Sequence, residues 1–463
     1  VSVAEATPDH LDEVAVKDDR AFLGHPKGLA FLGFTEACER FSYYSMQTLL
    51  VLYMTNYLLL PSHSGGVVGL SAIENFYGLS GQPLASRIFG DYTSLVYLTP
   101  ILGGIIADRW LGRRATLIAG GIIMSIGHFL MAIEGAFFFA LLSLIVGVGL
   151  FKGNIASQVG ELYGENDNRR AMAFQIFYIF INVSVILAPL TAGSLGQDPN
   201  FGWHYGFGLA GIVMVIGLLI YLKAGPWLPA DNRPTRGGAP REKLKRSDLP
   251  QLIGLLILVP VLAIALLTNQ EIFNAYLVWA DKKFTLNLFG IQMYSTWMIT
   301  IDSFVSFSML VVVAAFWNWF GKRTGKEPDE LGKMIIGSVF TIAGGMCLYI
   351  GAVTAGTGKV GMFWPLMFHL LNSIGFAHIL PISLALFSKL APKALNATVI
   401  GIYYLAFVGA NYVVGTIGGW YSTMPTPEFW LVHVGSAAFG LVAFVLFKLL
   451  LADRLMGDKN AAA

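Results

Sequence analysis

The sequence predicts an all-α membrane protein with twelve transmembrane helices arranged as two six-helix bundles. Three observations predict it. Of 463 residues, 55% are hydrophobic and 13% charged, with a mean hydropathy of +0.64, whereas a soluble domain carries about 25% charged residues. The apolar residues gather into twelve blocks, each near the roughly 20 residues that a bilayer crossing requires. A polar and basic stretch, Gly225–Pro250, divides those blocks six and six.

In chain order the blocks are Ala30–Leu59, Gly90–Trp110, Leu117–Ile133, Phe137–Val159, Met172–Leu195 and Phe207–Ala224, numbered spans 1 to 6. Gln251–Val278, Tyr294–Phe320, Met334–Thr354, Met362–Phe387, Val399–Tyr421 and Phe429–Leu451 are spans 7 to 12. The expected organisation is a tail over residues 1–27, a first bundle over 28–224, a linker over 225–250, a second bundle over 251–452 and a tail over 453–463. Gly225–Pro250 reads as linker because it is rich in Pro and Gly and holds Arg233, Arg236, Arg241, Lys243, Lys245 and Arg246. Val1–Lys27 lacks the basic, apolar and small-residue sequence of a cleaved leader, so span 1 is expected to stay as an anchor. Between spans 1 and 2, Leu60–Arg87 leaves room for a short surface helix.

Lys and Arg collect on the cytoplasmic side of membrane proteins, and with the N-terminus inside about 24 of the 30 lie on that side. Arg87, Lys282, Lys283 and Lys359 fall outside, and Arg40 and Lys152 lie within spans. Both termini are therefore expected in the cytoplasm. Cys38 and Cys347 both sit in apolar blocks, which implies neither a disulfide framework nor a metal site. There is no Walker loop, no ligand-spaced His/Cys cluster and no nucleophile–base constellation, so neither a metal, a nucleotide, a cofactor nor an enzymatic role is expected.

The halves echo one another: "FYIFIN" (Phe177–Asn182) in span 5 resembles "YYLAFVGAN" (Tyr403–Asn411) in span 11. Duplicated halves of this kind mark transporters more than channels. Span 1 carries Glu36, Glu39, Arg40 and Tyr43 at i, i+3, i+4 and i+7, on one helix face. Charges facing lipid are costly, so that face is expected to point into a polar interior. Two acids beside a cation can hold a proton and release it when their geometry changes. Lys152 of span 4, a buried ammonium, is expected to find a carboxylate partner. A static ion-pair network locking helices together is the alternative.

Two patterns resemble known families. "GGIIADRWLGRR" (Gly103–Arg114) is similar to the cytoplasmic loop of the major facilitator superfamily. The resemblance implies that fold and a gate whose Asp108, Arg109, Arg113 and Arg114 pair between the halves. "EACERFSYY" (Glu36–Tyr44) resembles the ExxERFxYY motif of the proton-dependent oligopeptide transporter family. "YLTPILGG" (Tyr97–Gly104), "GLFKGN" (Gly149–Asn154), "FYIFIN" and "FGWHYGF" (Phe201–Phe207) fit that family in order. The second half is similar at "LNLFG" (Leu286–Gly290) and "SKLAPKAL" (Ser388–Leu395).

The family resemblance implies proton coupling through Glu36, Glu39, Arg40 and Lys152. It also implies a carboxylate clamp of Arg40 and Lys152, and a lining that includes Tyr43, Tyr44, Tyr97, Tyr178 and Asn182. The implied activity is symport of di- or tripeptides, or of peptide-like compounds, with protons, by a monomer in the bacterial inner membrane that binds no nucleic acid.

The sequence departs from the family in three places. Ser45 and Gln47 replace the usual Gly and Arg, so Asp281 loses an outer-gate partner and is expected to pair with Lys282 or Lys283. Phe376 stands where span 10 usually has a Glu. Asp302 of span 8 stands where an Asn is usual, and either anchors a substrate amine in place of that Glu, pairs with a neighbouring helix or lines water. Gln270, Glu271 and Asn274 give span 7 a polar wall, with Glu271 and Asn274 expected in the pocket. His378 either titrates or is a hydrogen-bonded helix contact, and His128 and His433 carry less weight. A carrier for a non-peptide solute, or a receptor that does not transport, are the other readings.

Overall fold

The computed structural model describes residues 20–164, 167–229, 249–391 and 396–450, the last without the side chains of 396–398. The expected tails at residues 1–19 and 453–463, most of the linker, and residues 392–395 of the "SKLAPKAL" stretch lie outside the described residues. Twelve helical units succeed one another among the described residues. Span 1 is Lys27–Tyr53 with a wider π turn at Met54–Leu58, and span 2 is Gly81–Ile106 with another at Ala107–Leu111. Spans 3 and 4 are Arg113–Leu130 and Phe137–Glu161. Span 5 runs as Arg169–Ala188, Pro189–Gly193 and Ser194–Gln197, and span 6 as Trp203–Lys223.

Span 7 is broken. Leu249–Ala265 and Leu267–Phe273 meet at 47°. After Asn274 (φ −117°, ψ −115°) the chain resumes as Ala275–Lys283. The break leaves the Ala275 N–H without a helical partner, and the Glu271 carboxylate accepts it at 3.1 Å. Spans 8 to 12 are Trp297–Thr324, Glu330–Ala355, Phe363–Leu390, Asn396–Gly419 and Thr426–Leu450. Eight of the described helices are long and apolar enough to cross a membrane by themselves, and the bent pair in span 7 makes a ninth. The remaining three units, spans 1 to 3, fall short of that test because charges and small polar residues dilute them. A short helix, Leu70–Tyr77, follows span 1 as the sequence suggests.

The outer faces carry many large apolar side chains. On span 6, Ile212, Ile216 and Leu219 are exposed at three- and four-residue spacing, a stripe made for lipid. Association then rests on close packing rather than on hydrophobic burial, and glycine permits it. A Cβ at Gly103 would stand 1.9 Å from the Gly149 carbonyl oxygen, so spans 2 and 4 touch by backbone. A Cβ at Gly90 would stand 2.4 Å from Gly415 Cα, which brings span 2 of one bundle against span 11 of the other. Span 5 meets span 8 in the matching place, where a Cβ at Gly193 would lie 2.7 Å from Thr296 Oγ1.

Span 2 begins at Gly81, nine residues before its apolar block. The added turns are polar because they face span 11 and the span 7 break. Gln82 donates to the Gly418 carbonyl (2.9 Å), Ser86 to Asn274 (2.8 Å) and Arg87 to Thr416 (2.8 Å). Arg87 is thus a contact between bundles, not a loop residue.

Candidate functional site

The charges of span 1 turn inward as its spacing predicts. Glu36, Glu39 and Arg40 are all buried. Arg40 donates to both oxygens of Glu39, from Nε to Oε2 and from Nη2 to Oε1 at 2.7 Å. Its Nε also stands 3.3 Å from Glu36 Oε1. Glu36 Oε2 is buried with no hydrogen-bond partner among the described residues. An acceptor left so costs about 1–3 kcal/mol, and more when charged, so such an atom asks for a proton or a ligand.

An aromatic layer surrounds this cluster. The Arg40 guanidinium lies 5.1 Å from the Tyr43 ring, and Tyr43 meets Tyr44 edge-on at 5.1 Å. Tyr44 reaches Phe273 of span 7 at 6.2 Å, and Tyr97 stacks on Phe407 of span 11 at 5.1 Å. The layer therefore bridges the bundles. Among the described residues Lys152 makes no ion pair with a carboxylate, contrary to expectation; its Nζ lies 4.7 Å over the Tyr97 ring. A half-buried ammonium gains there from the ring's negative face without a full ion pair. Tyr178 is exposed, and Asn182 donates to the Tyr178 backbone oxygen at 2.8 Å. Tyr178, Asn182 and the half-buried Phe376 make no described ring contact or side-chain hydrogen bond with the cluster.

The second bundle arranges its acids differently. Glu271 and Asn274 are fully buried rather than lining an open pocket. Asn274 is held by Ser86 and by the Val414 carbonyl at 3.2 Å. Glu271 Oε2 faces His433 Nε2 at 3.3 Å. His433 Nδ1 faces the Phe429 carbonyl oxygen at 3.0 Å, and a carbonyl only accepts, so Nδ1 carries hydrogen. A proton is then also required between Nε2 and the Glu271 oxygen, since two lone pairs would otherwise meet.

Asp302 takes the second of its expected roles and pairs with a neighbouring helix. Its Oδ1 lies 2.8 Å from His369 Nδ1, and His369 Nε2 lies 2.7 Å from the Tyr276 hydroxyl. No sequence signal marks His369, a single imidazole in an apolar helix. His433 is equally unmarked, yet it is the partner of Glu271. His378 is a helix contact: Nδ1 faces the Ile374 carbonyl at 2.8 Å and Nε2 accepts from Trp317 at 3.0 Å. His128 is buried with neither ring nitrogen partnered among the described residues.

Asp281 corrects an expectation. It takes no lysine. Its oxygens accept from Asn56 of span 1 (2.9 Å), Gln197 of span 5 (3.1 Å) and Ser295 beside span 8 (2.9 Å). With Gln197 also bonded to Ser295 (2.7 Å) and Trp297 donating to Ser194 (2.6 Å), this latch closes the expected external face across both bundles.

At the opposite face the described ion pairs each stay within one bundle. Arg113 pairs with Glu161 of span 4 and stands 3.8 Å from Asp108, so among the described residues Asp108 and Arg113 meet groups of their own bundle rather than of the other half. Glu161 was not foreseen. Asp108 and Arg109 are exposed and Arg113 and Arg114 half-buried. In the second bundle Lys389 pairs with Glu330 and Lys448 with Asp329, each at 2.5 Å. Among the described residues, no ion pair joins the bundles at this face. A separate apolar hollow of about 310 Å³, lined by Leu195, His204 and Ile212 among others, lies on spans 5 and 6 away from these charges and offers no titrating cluster.

Known proteins match this arrangement along nearly its whole length. The sequence profile described as Major Facilitator Superfamily matches residues 32–416. A Bacillus subtilis (strain 168) protein named "Uncharacterized transporter YclF" is 30% identical, over 96% of this chain and 97% of its own. A di-/tripeptide transporter of Lactococcus lactis subsp. cremoris is 26% identical, over 96% of this chain and 99% of its own. Among solved structures, a variant of the peptide transporter POT in complex with alafosfalin is similar with a TM-score of 0.83. It is 26% identical, over 97% of this chain and 100% of that one.

Proposed function

The chain belongs to the Major Facilitator Superfamily and, within it, to the proton-dependent oligopeptide transporter family. From that premise we propose that it is a proton-coupled symporter importing di- or tripeptides or peptide-like compounds by alternating access. The observation that carries this reading is Glu36. One of its oxygens leans on Arg40 at 3.3 Å and the other is buried without a partner, beside an aromatic layer shared by both bundles.

In this reading a proton on Glu36 or Glu39 loosens the hold on Arg40. The guanidinium is then free to meet a substrate carboxylate, which Lys152 approaches from span 4. The Glu carboxylates and the substrate carboxylate thus compete for the same cation, protonation favours the substrate, and neither charge crosses alone. Tyr43, Tyr44, Tyr97, Tyr178, Asn182 and Phe376 form the lining. The Asp281 latch closes the outer face, and the described ion pairs of Asp108 and Arg113 stay within one bundle at the opposite face, which suits a carrier open to the cytoplasm. Reversing the cycle asks the latch to open and those charges to pair across the bundles. The bacterial relatives and the Lys/Arg distribution support a place in a bacterial inner membrane with both termini inside, and the carrier is proposed to work as a monomer. No cofactor beyond the coupling proton is proposed.

Phe376 and the Asp302–His369 pair favour a second reading, a carrier of the same family for a non-peptide solute. With the span 10 acid absent and Asp302 and Glu271 each engaged by a histidine, no described acid buried in that bundle stands free for a substrate amine. Uptake into proteoliposomes under an inward proton gradient tests the function. Dialanine or trialanine should accumulate above the external concentration and leak out when a protonophore collapses the gradient. Binding without accumulation at any gradient would point to a receptor instead. Accumulation of other small amphiphiles but neither peptide would select the second reading.

A further inference from the structure

The second bundle buries two acids within its spans, Glu271 and Asp302, and has almost nothing fixed to balance them. The apolar blocks of spans 7 to 12 contain a single lysine and no arginine. That lysine, Lys448, sits at the end of span 12 and is committed to Asp329. A charge taken from water without a partner is costly, so each acid depends on an imidazole. Glu271 has His433, and Asp302 has His369.

The Asp302 site has the parts of a proton relay. Asp302 is on span 8, His369 on span 10 and Tyr276 on the outer segment of span 7, joined at 2.8 and 2.7 Å. His369 and Tyr276 are fully buried, while the Asp302 side chain keeps 10% of its surface open. With His369 neutral, Nδ1–H donates to the carboxylate and the phenol donates to Nε2. With one more proton, Nε2–H donates to the phenol oxygen and the pair becomes neutral overall. Only the tyrosine hydroxyl turns between the two states; no side chain has to move.

Among the described residues, the surroundings add no competing charge. Span 7 presents Tyr276 and, behind its break, Glu271, which is already bound to His433 of span 12. Span 8 presents Asp302. Span 9, packed on span 10 through Gly344 at Asn372 and Gly351 at Trp364, brings Cys347 to this level. Phe284, Phe368 and Trp430 close the rest around Tyr276, with ring centroids between 5.4 and 6.2 Å.

We propose that Asp302, His369 and Tyr276 form a proton-binding site in the second bundle, separate from the span 1 cluster. Its ligand is one proton, shared by the acid and the imidazole. The site lies beneath the Asp281 latch: Tyr276 precedes Asp281 by five residues on one helix, and Asp302 follows Thr296 of the latch by six on the next. Opening the latch exposes it first, so loading from the external side follows. That use in transport rests on the symport reading, whereas the site itself does not.

Proton uptake by the purified protein in detergent, without substrate, tests it directly. After a jump from about pH 8 to about pH 5, across the range where an imidazole titrates, an indicator dye counts protons bound per molecule. His369→Gln should bind one proton fewer than the wild type, and Asp302→Asn likewise, because a buried imidazolium without its acid does not form. The double variant should lose the same single proton, since the pair titrates as a unit. Unchanged counts in both single variants, or additive loss in the double, would overturn the site. If His369→Gln fails to fold, Asp302→Asn alone decides by the same count. Failure of peptide accumulation would leave this result standing, so the two conclusions fall separately.

Discussion

The two bundles solve one problem with different chemistry. The first buries Glu36 and Glu39 and sets fixed cations beside them: Arg40 in contact and Lys152 over the neighbouring Tyr97. The second buries Glu271 and Asp302 and gives each an imidazole. Arginine stays charged at any pH a cell meets, whereas histidine is a cation only when it holds an extra proton. Charge balance in the first bundle thus depends on which groups touch. In the second it depends on how many protons are bound. Proton and substrate can meet in the first, while the second can only count protons.

Removing the fixed cation breaks this contrast most severely. Arg40→Ala leaves two buried acids without their contact, and loss of one member of a buried pair costs about 3–5 kcal/mol. The variant should melt well below the wild type and show no gradient-driven uptake. Melting at the wild-type temperature would mean that the cation does not hold span 1 in place.

Asp281 is the acid that the bundles share, held by the neutral donors Asn56, Gln197 and Ser295. Asp281→Asn removes the charge that strengthens those bonds, each worth about 1.5–3 kcal/mol when charge-assisted. The latch should open more often. A membrane-impermeant maleimide applied from outside should then label Thr296→Cys, in a background without Cys38 and Cys347, faster than with Asp281 intact. Equal labelling would assign closure to the Gly90–Gly415 contact instead.

Glu271 separates its two duties, capping the span 7 break and sharing a proton with His433. Glu271→Gln keeps an oxygen for the Ala275 N–H; Glu271→Ala does not. The alanine variant should be less stable than the glutamine variant by about 1–3 kcal/mol, the cost of a buried unsatisfied donor. Equal melting temperatures would show that the cap is dispensable.

The smallest effect belongs to Asp329, a second-bundle acid that does have a fixed cation, at the membrane edge. Burial pushes its carboxyl up, but the Lys448 ammonium and the Gly332 N–H outweigh that and hold it below its ordinary value. A depressed carboxyl stabilises the folded chain above its unfolded value and loses that contribution as pH falls through the folded one. Asp329→Ala should cost about 1 kcal/mol at neutral pH, as the loss of a helix cap does. The difference from wild type should shrink in acid below about pH 4. A difference that stays constant with pH would mean that packing, not charge, is lost.

Much of this was legible in the sequence. The apolar blocks located twelve helices, and the i, i+3, i+4 spacing put the span 1 charges on one inward face. Both are local signals, written in neighbouring residues. Span 2 extends nine residues beyond its apolar block, and Gln82, Ser86 and Arg87 look like loop residues until span 11 and the span 7 break supply their partners. The acid–imidazole pairs were illegible for a similar reason. Glu271 and His433 stand 162 residues apart, Asp302 and His369 67, and a single histidine in an apolar helix has no pattern of its own. Asp281 was assigned to adjacent lysines because proximity in sequence was the available guide. The fold instead turns Lys283 to the Thr357 carbonyl and aims Asp281 at the other bundle.

Proton-to-peptide stoichiometry, read from the substrate gradient that exactly opposes an imposed proton gradient in proteoliposomes, tests the division between the bundles. With dialanine as the probe, the wild type should couple more than one proton per peptide. Glu36→Gln and His369→Gln should each lower the ratio, and the double variant should lower it by the sum, because the two sites lie in different bundles. A wild-type ratio of one, or a ratio that His369→Gln leaves unchanged, would place all coupling in the first bundle and contradict the division.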